Sequence, residues 1–149
     1  SAWLNSQLES GLMVAEYVEI VGVVATVIAI DSFTDALGMG RHLLPEAERG
    51  EPASVMPPGA KPGLGWVPTV APEDVGDGEQ DLYDGLSGAN IHRALSLVPA
   101  EVWGLFDLDA AMYLPDAALR DYGKEYRAVT HPQIELLAAR VSALNRCYY

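Results

Sequence analysis

Seven prolines, Pro45, Pro52, Pro57, Pro58, Pro62, Pro68 and Pro72, fall in one stretch with glycines between them. Each fixes its own φ and removes a backbone donor, so the stretch cannot sustain a helix or a strand ladder for long. A charged run, EDVGDGEQD, follows it. Residues 41–88 therefore read as an acidic connector. A structureless loop of that length is uncommon inside a compact domain, so a linker or a lid is expected. Trp66, in GLGWVP, is a lone aromatic among the prolines. It is expected to pack on the surface of its own domain or of a neighbour, with a functional role the lesser reading.

The regular structure must then come from two flanking blocks, residues 1–40 and 89–149. The first holds LMVAEYVEIVGVVATVIAIDSFTDALG, residues 12–38, free of proline and ending on Gly38. Much of it is β-branched, but it is far too long for a strand, and glycine is a usual helix stop. The spacing predicts one long helix, apolar on nearly all sides and hence buried. Glu16 and Glu19 sit toward the positive end of its dipole. In the second block, NIHRALSLVPAEVWGLFDLDAAMYL predicts two helices broken near Pro99, with Asn90 as the first cap and Pro99 in the first turn of the second. PDAALRDYGKEYRAVT is short and polar. HPQIELLAARVSALNRCYY then starts a helix at Pro132, capped by Thr130 or His131, with Ile134, Leu137, Val141 and Leu144 along one face. The fold class expected is all-α.

The 149 residues suffice for one domain with a real core, and half of them are hydrophobic. The net charge of −12 disfavours nucleic acid and anionic membrane surfaces. The charge is uneven: five acids and no base in 1–40, nine against three in 41–88, seven against six in 89–149. The uncharged run Ile20–Ile30, about 16 Å as a helix, is too short to span roughly 30 Å of hydrocarbon. A single cysteine excludes an intramolecular disulfide framework and a zinc site built on cysteines. No segment has the pattern of a signal peptide, and a reducing cytoplasm is the expected compartment. No P-loop, dinucleotide fingerprint, zinc motif or nucleophile elbow occurs.

Two residues stand out as candidates for chemistry. Cys147 follows Arg146 at the end of the last helix, where Asn145 can close one helix and open another. A thiolate there would be a nucleophile, and a buried inert thiol is the competing reading, which composition favours. Glu135 lies twelve residues earlier on a largely apolar helix. A carboxylate held against a core can shuttle protons, while one on the outer face is merely solvated. His42, His92 and His131 lack a paired spacing, so each is read as structural or solvated and no metal is implied. Tyr148 and Tyr149 are either spacers in a thiol motif or an aromatic end.

The last sixteen residues described by IELLAARVSALNRCYY resemble the signature of the alkyl hydroperoxidase D / carboxymuconolactone decarboxylase superfamily, in its peroxidase-related branch. There the pattern is Glu-Leu-(Ile/Leu)-Ala-x-Arg-Val-Ser-x-Leu-Asn-x-Cys-x-Tyr-Cys, with a histidine shortly after. NIHRALSLVPAEVWGLFDLDAAMY resembles that branch's lead-in helices, and EYVEIVGVVATVIAIDSFTDALG resembles the long helix that closes such domains. The order is inverted, as a tandem protein sampled across its middle, or a rearranged or cleaved chain, would show. The terminal block is the more specific match, because apolar helices resemble one another.

The resemblance implies a carboxymuconolactone-decarboxylase-like helical bundle, oligomeric, that reduces organic hydroperoxides with a dithiol reductant as partner and no bound cofactor. It places Cys147 as the first, resolving cysteine and Glu135 as the proton-relay glutamate. The attacking cysteine and the later histidine have no counterpart in these 149 residues, so the motif stands interrupted one residue short of its second thiol. Two alternatives remain open: a decarboxylase-type member acting without a thiol pair, and a non-catalytic helical subunit or interaction module of a larger assembly. The long acidic connector and Trp66 favour the last.

Overall fold

A computed structural model describes residues 1–41 and 43–147; His42, Tyr148 and Tyr149 lie outside the described residues. Helix α1 (Ala2–Glu9) opens on Ser1, whose hydroxyl accepts the Leu4 N–H at 3.2 Å. Helix α2 (Val14–Ala36) opens where the Glu16 carboxylate reaches back to the Met13 N–H at 2.7 Å. It stops as its glycine requires. Gly38 adopts φ +67°, its N–H bonds to the Asp35 carbonyl, and the Met39 N–H bonds to the Thr34 carbonyl. This is a Schellman motif, and the left-handed φ is the reason a glycine stands there.

The expectation that α2 is buried on all sides holds for one side only. Ala15, Val18 and Gly22 are buried, but Ile20, Val23, Val24 and Ile28 are exposed. The reason is a shortage of neighbours: α4 (Pro99–Met112) is the helix that packs along it. The two backbones meet at Gly22. A Cβ there would lie 2.8 Å from the Cβ of Glu101, so the crossing needs a residue without a side chain.

The connector behaves as two materials. Residues 43–57 carry no regular structure, although the Ala53 N–H donates to Glu19 Oε2 at 2.8 Å. From there on the chain meets the core at separate points, while residues 61–66 stay exposed. Strands β1 (Ala60–Lys61) and β2 (Thr69–Val70) form an antiparallel ladder with Ala60 opposite Val70. A 3₁₀ turn, Pro72–Asp74, follows. Val70, Ala71 and Leu82 are buried. The Val70 N–H donates to Ser96 Oγ at 2.8 Å, and its carbonyl accepts the Tyr83 hydroxyl at 2.5 Å. Side chains thus satisfy the backbone groups of Val70 on the side of the two-stranded ladder that has no further strand. Trp66 stays largely exposed, on the rim of an apolar groove of about 460 Å³ that Tyr17 and Val18 of α2 also line.

The second block follows its expected order. Helix α3 (Asn90–Arg93) is one turn long and its cap is Ala89, one residue before the expected Asn90. Residues 94–98 close in turns, and α4 begins at Pro99 as expected. Helix α5 (Asp116–Leu119) is short. Helix α6 (His131–Leu144) is capped by Thr130, with Gln133 Oε1 accepting the Thr130 N–H at 2.8 Å.

Two clusters hold these elements. The larger joins Ala15 and Val18 to Val70, Leu82, Leu95, Leu97, Val98 and Val102. The smaller joins Leu114, Ala118 and Ile134. The described residues are thus mostly helical, with six α-helices and one two-residue ladder, in keeping with an all-α class. None of these helices is long and apolar enough to cross a membrane.

Candidate functional site

The polar centre around Glu135 depends first on how α4 ends. Its last carbonyls would lack partners, and Arg127 supplies them. The guanidinium donates to the carbonyls of Tyr113 at 3.0 Å, Ala111 at 3.1 Å and Ala110 at 3.3 Å. A cation at this end also meets the negative pole of the helix. The arrangement seats Tyr113, whose hydroxyl donates to Glu135 Oε1 at 2.8 Å. Burial, and then the bond to Glu135, push the Tyr113 phenol far above its ordinary range, which keeps it a proton donor.

Glu135 lies one turn after His131 on α6, and the same carboxylate oxygen stands 3.5 Å from His131 Nε2. The His131 ring is buried, neither of its nitrogens has a hydrogen-bond partner, and its centre lies 4.9 Å from that of the tilted Tyr122 ring. Its backbone N–H donates to Glu125 Oε2 at 2.6 Å. One carboxylate oxygen therefore faces a phenol and an imidazole. Such a set can pass a proton between solvent, which reaches the Glu135 side chain, and the buried ring.

Cys147 lies beyond the other end of α6. Asn145 closes the helix, Arg146 adopts φ +54°, and the N–H groups of Arg146 and Cys147 bond to the carbonyls of Ala143 and Ser142. The thiol is exposed. The twelve residues that separate it from Glu135 amount to roughly 18 Å of helical rise. The structure thus brings Glu135 together with Tyr113 and His131, and leaves Cys147 apart from them.

His131 and Glu135 were within reach of sequence reasoning, because i and i+4 share a helix face. Tyr113 and Arg127 were not, since their roles arise from where α4 ends against the start of α6. His92 is likewise more than a helix-surface residue. It is buried, with its ring edge-on to Phe106 at 4.6 Å. Among the described residues, no group of three or more His, Cys, Asp or Glu side chains is placed to hold a metal ion. Comparison with known proteins adds no relative: no family model, no curated protein and no solved structure matches the chain.

Proposed function

We propose that this chain is part of a thiol-dependent, alkyl-hydroperoxidase-like protein that reduces organic hydroperoxides, works as a homo-oligomer in the cytoplasm, and uses a dithiol reductant. Cys147 is the resolving thiol and Glu135 the proton relay. The reading rests on the likeness of residues 134–149 to the peroxidase-related signature. The observation that carries it in three dimensions is the Glu135 carboxylate, held between the Tyr113 hydroxyl and the His131 imidazole. The exposure of Cys147 supports it further, since a resolving thiol must meet a second sulfur.

The chemistry balances with one further thiol. A peroxide oxygen passes to that thiol, releasing an alcohol and leaving a sulfenic acid. The Cys147 thiolate attacks the sulfenic sulfur, water departs, and a disulfide forms. A dithiol then reduces the disulfide by exchange. The test is turnover of cumene hydroperoxide with dihydrolipoamide as reductant. Turnover that disappears in Cys147→Ser and falls about tenfold or more in Glu135→Gln supports the assignment. Turnover unchanged in Cys147→Ser, or no turnover by a protein that carries this chain together with the second thiol, overturns it.

A second reading is a non-catalytic helical subunit of a larger assembly. The exposed apolar residues on α2 and α6 favour it. Under that reading Cys147→Ser leaves assembly unchanged and no peroxide is consumed.

A further inference from the structure

A second polar site lies away from Glu135, between α4, α5 and the end of the connector. It is a cavity of about 640 Å³, within the size range of small-molecule sites. Four carboxylates line it, those of Asp84, Asp107, Asp109 and Asp116, and no lysine or arginine does. Its walls include Trp103 and Phe106, and the Trp103 indole is fixed by donating to the Asp81 carbonyl at 3.3 Å.

His92 sets the chemistry of the floor. Only 5% of the residue is exposed, yet it lines the cavity. Its Nδ1 accepts the Ala89 N–H at 3.2 Å, so in the neutral ring the proton sits on Nε2. Nε2 faces Asp116 Oδ1 at 3.6 Å, beyond ordinary hydrogen-bond reach, so its N–H can donate to a ligand oxygen. Burial raises the Asp109 carboxyl above its ordinary range, and Asp116 adds to this while His92 opposes it. A positive charge entering the cavity would relieve that crowding.

We propose that this cavity binds a small organic cation: a protonated amine whose apolar or aromatic body rests on Trp103 and Phe106 and whose hydroxyl or carbonyl oxygen accepts from His92 Nε2. The carboxylates supply the charge, the rings supply stacking and cation–π contact, and the histidine supplies the one donor. An organic cation is favoured over a metal ion because the described carboxylates and imidazole are not grouped around a common point.

A matched pair of probes tests this. 2-Amino-1-phenylethanol carries the amine, ring and hydroxyl, while 1-phenyl-1,2-ethanediol replaces the amine with a second hydroxyl. Each is titrated into the wild-type protein and followed by NMR at the Trp103 indole N–H and the His92 ring. The amine is expected to saturate at concentrations on the order of 10 mM or below and to bind about tenfold more tightly than the diol. Asp109→Asn is expected to remove most of that difference, whereas the exposed Asp77→Asn is expected to retain it. Equal binding of amine and diol, or no amine-dependent shift at Trp103 and His92, overturns the proposal. The probe comparison uses the unaltered protein, so it decides the matter even if Asp109→Asn fails to fold.

Discussion

Gly38 and Arg146 occupy the same position in the same motif. Each follows a helix C-cap with a left-handed backbone, and each is flanked by the two hydrogen bonds that close a Schellman turn. Glycine adopts that conformation freely, whereas an L side chain is strained there by about 1 kcal/mol. Replacing Arg146 with glycine is therefore expected to stabilise the end of α6 by about 0.5–1 kcal/mol, read from denaturant midpoints at unchanged slope. Loss of stability would mean that the arginine side chain makes a contact of greater worth than the strain. At this scale much was legible. Gly38 announced its stop, Pro99 and Pro132 announced first turns, and Thr130 announced a cap. Arg146 did not, because an arginine carries no sign of a positive φ. Nor did Ser96, which satisfies the buried Val70 N–H through a contact between residues far apart in sequence.

Elements were legible where a local pattern decides them, and α2, α4 and α6 follow their expected spans to within a few residues. Their pairing was not, because it turns on one residue of each partner. At the crossing of α2 and α4, Gly22 admits Glu101, and Glu19 on α2 stands close enough to act on it. Burial, and then the Glu19 charge, raise the Glu101 carboxyl above its ordinary value of 4.5. A carboxyl raised on folding holds its proton longer in the folded state than in the unfolded one. Its contribution to stability is therefore complete below the unfolded value and is lost as pH rises from about 4.5 through the folded value. Glu101→Gln keeps the shape and removes the charge. It is expected to raise stability at pH 7 by at most about 0.5 kcal/mol, since the group is partly screened by solvent. Below pH 4 it should match the parent, so thermal melts across pH 4–7 should diverge only in the upper half. Divergence at low pH instead would place the effect in packing.

The prolines told what residues 41–88 could not form, but not where they would go. Proline forbids regular hydrogen bonding and says nothing about burial, so Val70 and Leu82 entered the core through side chains that periodicity could not rank. The candidate site divides the same way: Glu135 was visible as a carboxylate on an apolar helix, while its partner Tyr113 depended on the fold. The largest departure concerns the stripe on α6. Ile134 is buried, but Leu137, Val141 and Leu144, expected on the same face, are 61%, 56% and 63% exposed, and Leu136 beside them is 70% exposed. The small cluster of Leu114, Ala118 and Ile134, with the contacts of His131 and Glu135, holds the first turns of the helix to the rest of the chain. A helix with so much apolar surface left in water loses roughly 25 cal/mol for every Å² that a partner could cover. Under the homo-oligomeric reading a second copy covers it, and covering this face requires no change inside either protomer. Leu137→Asp then weakens self-association by about tenfold or more while leaving the helical content of the isolated chain unchanged, because the side chain makes no core contact. Sedimentation velocity across a concentration series, with circular dichroism on the same samples, measures both. If parent and variant sediment alike as monomers at every concentration, the exposed face of α6 belongs to a different partner and the homo-oligomer is excluded.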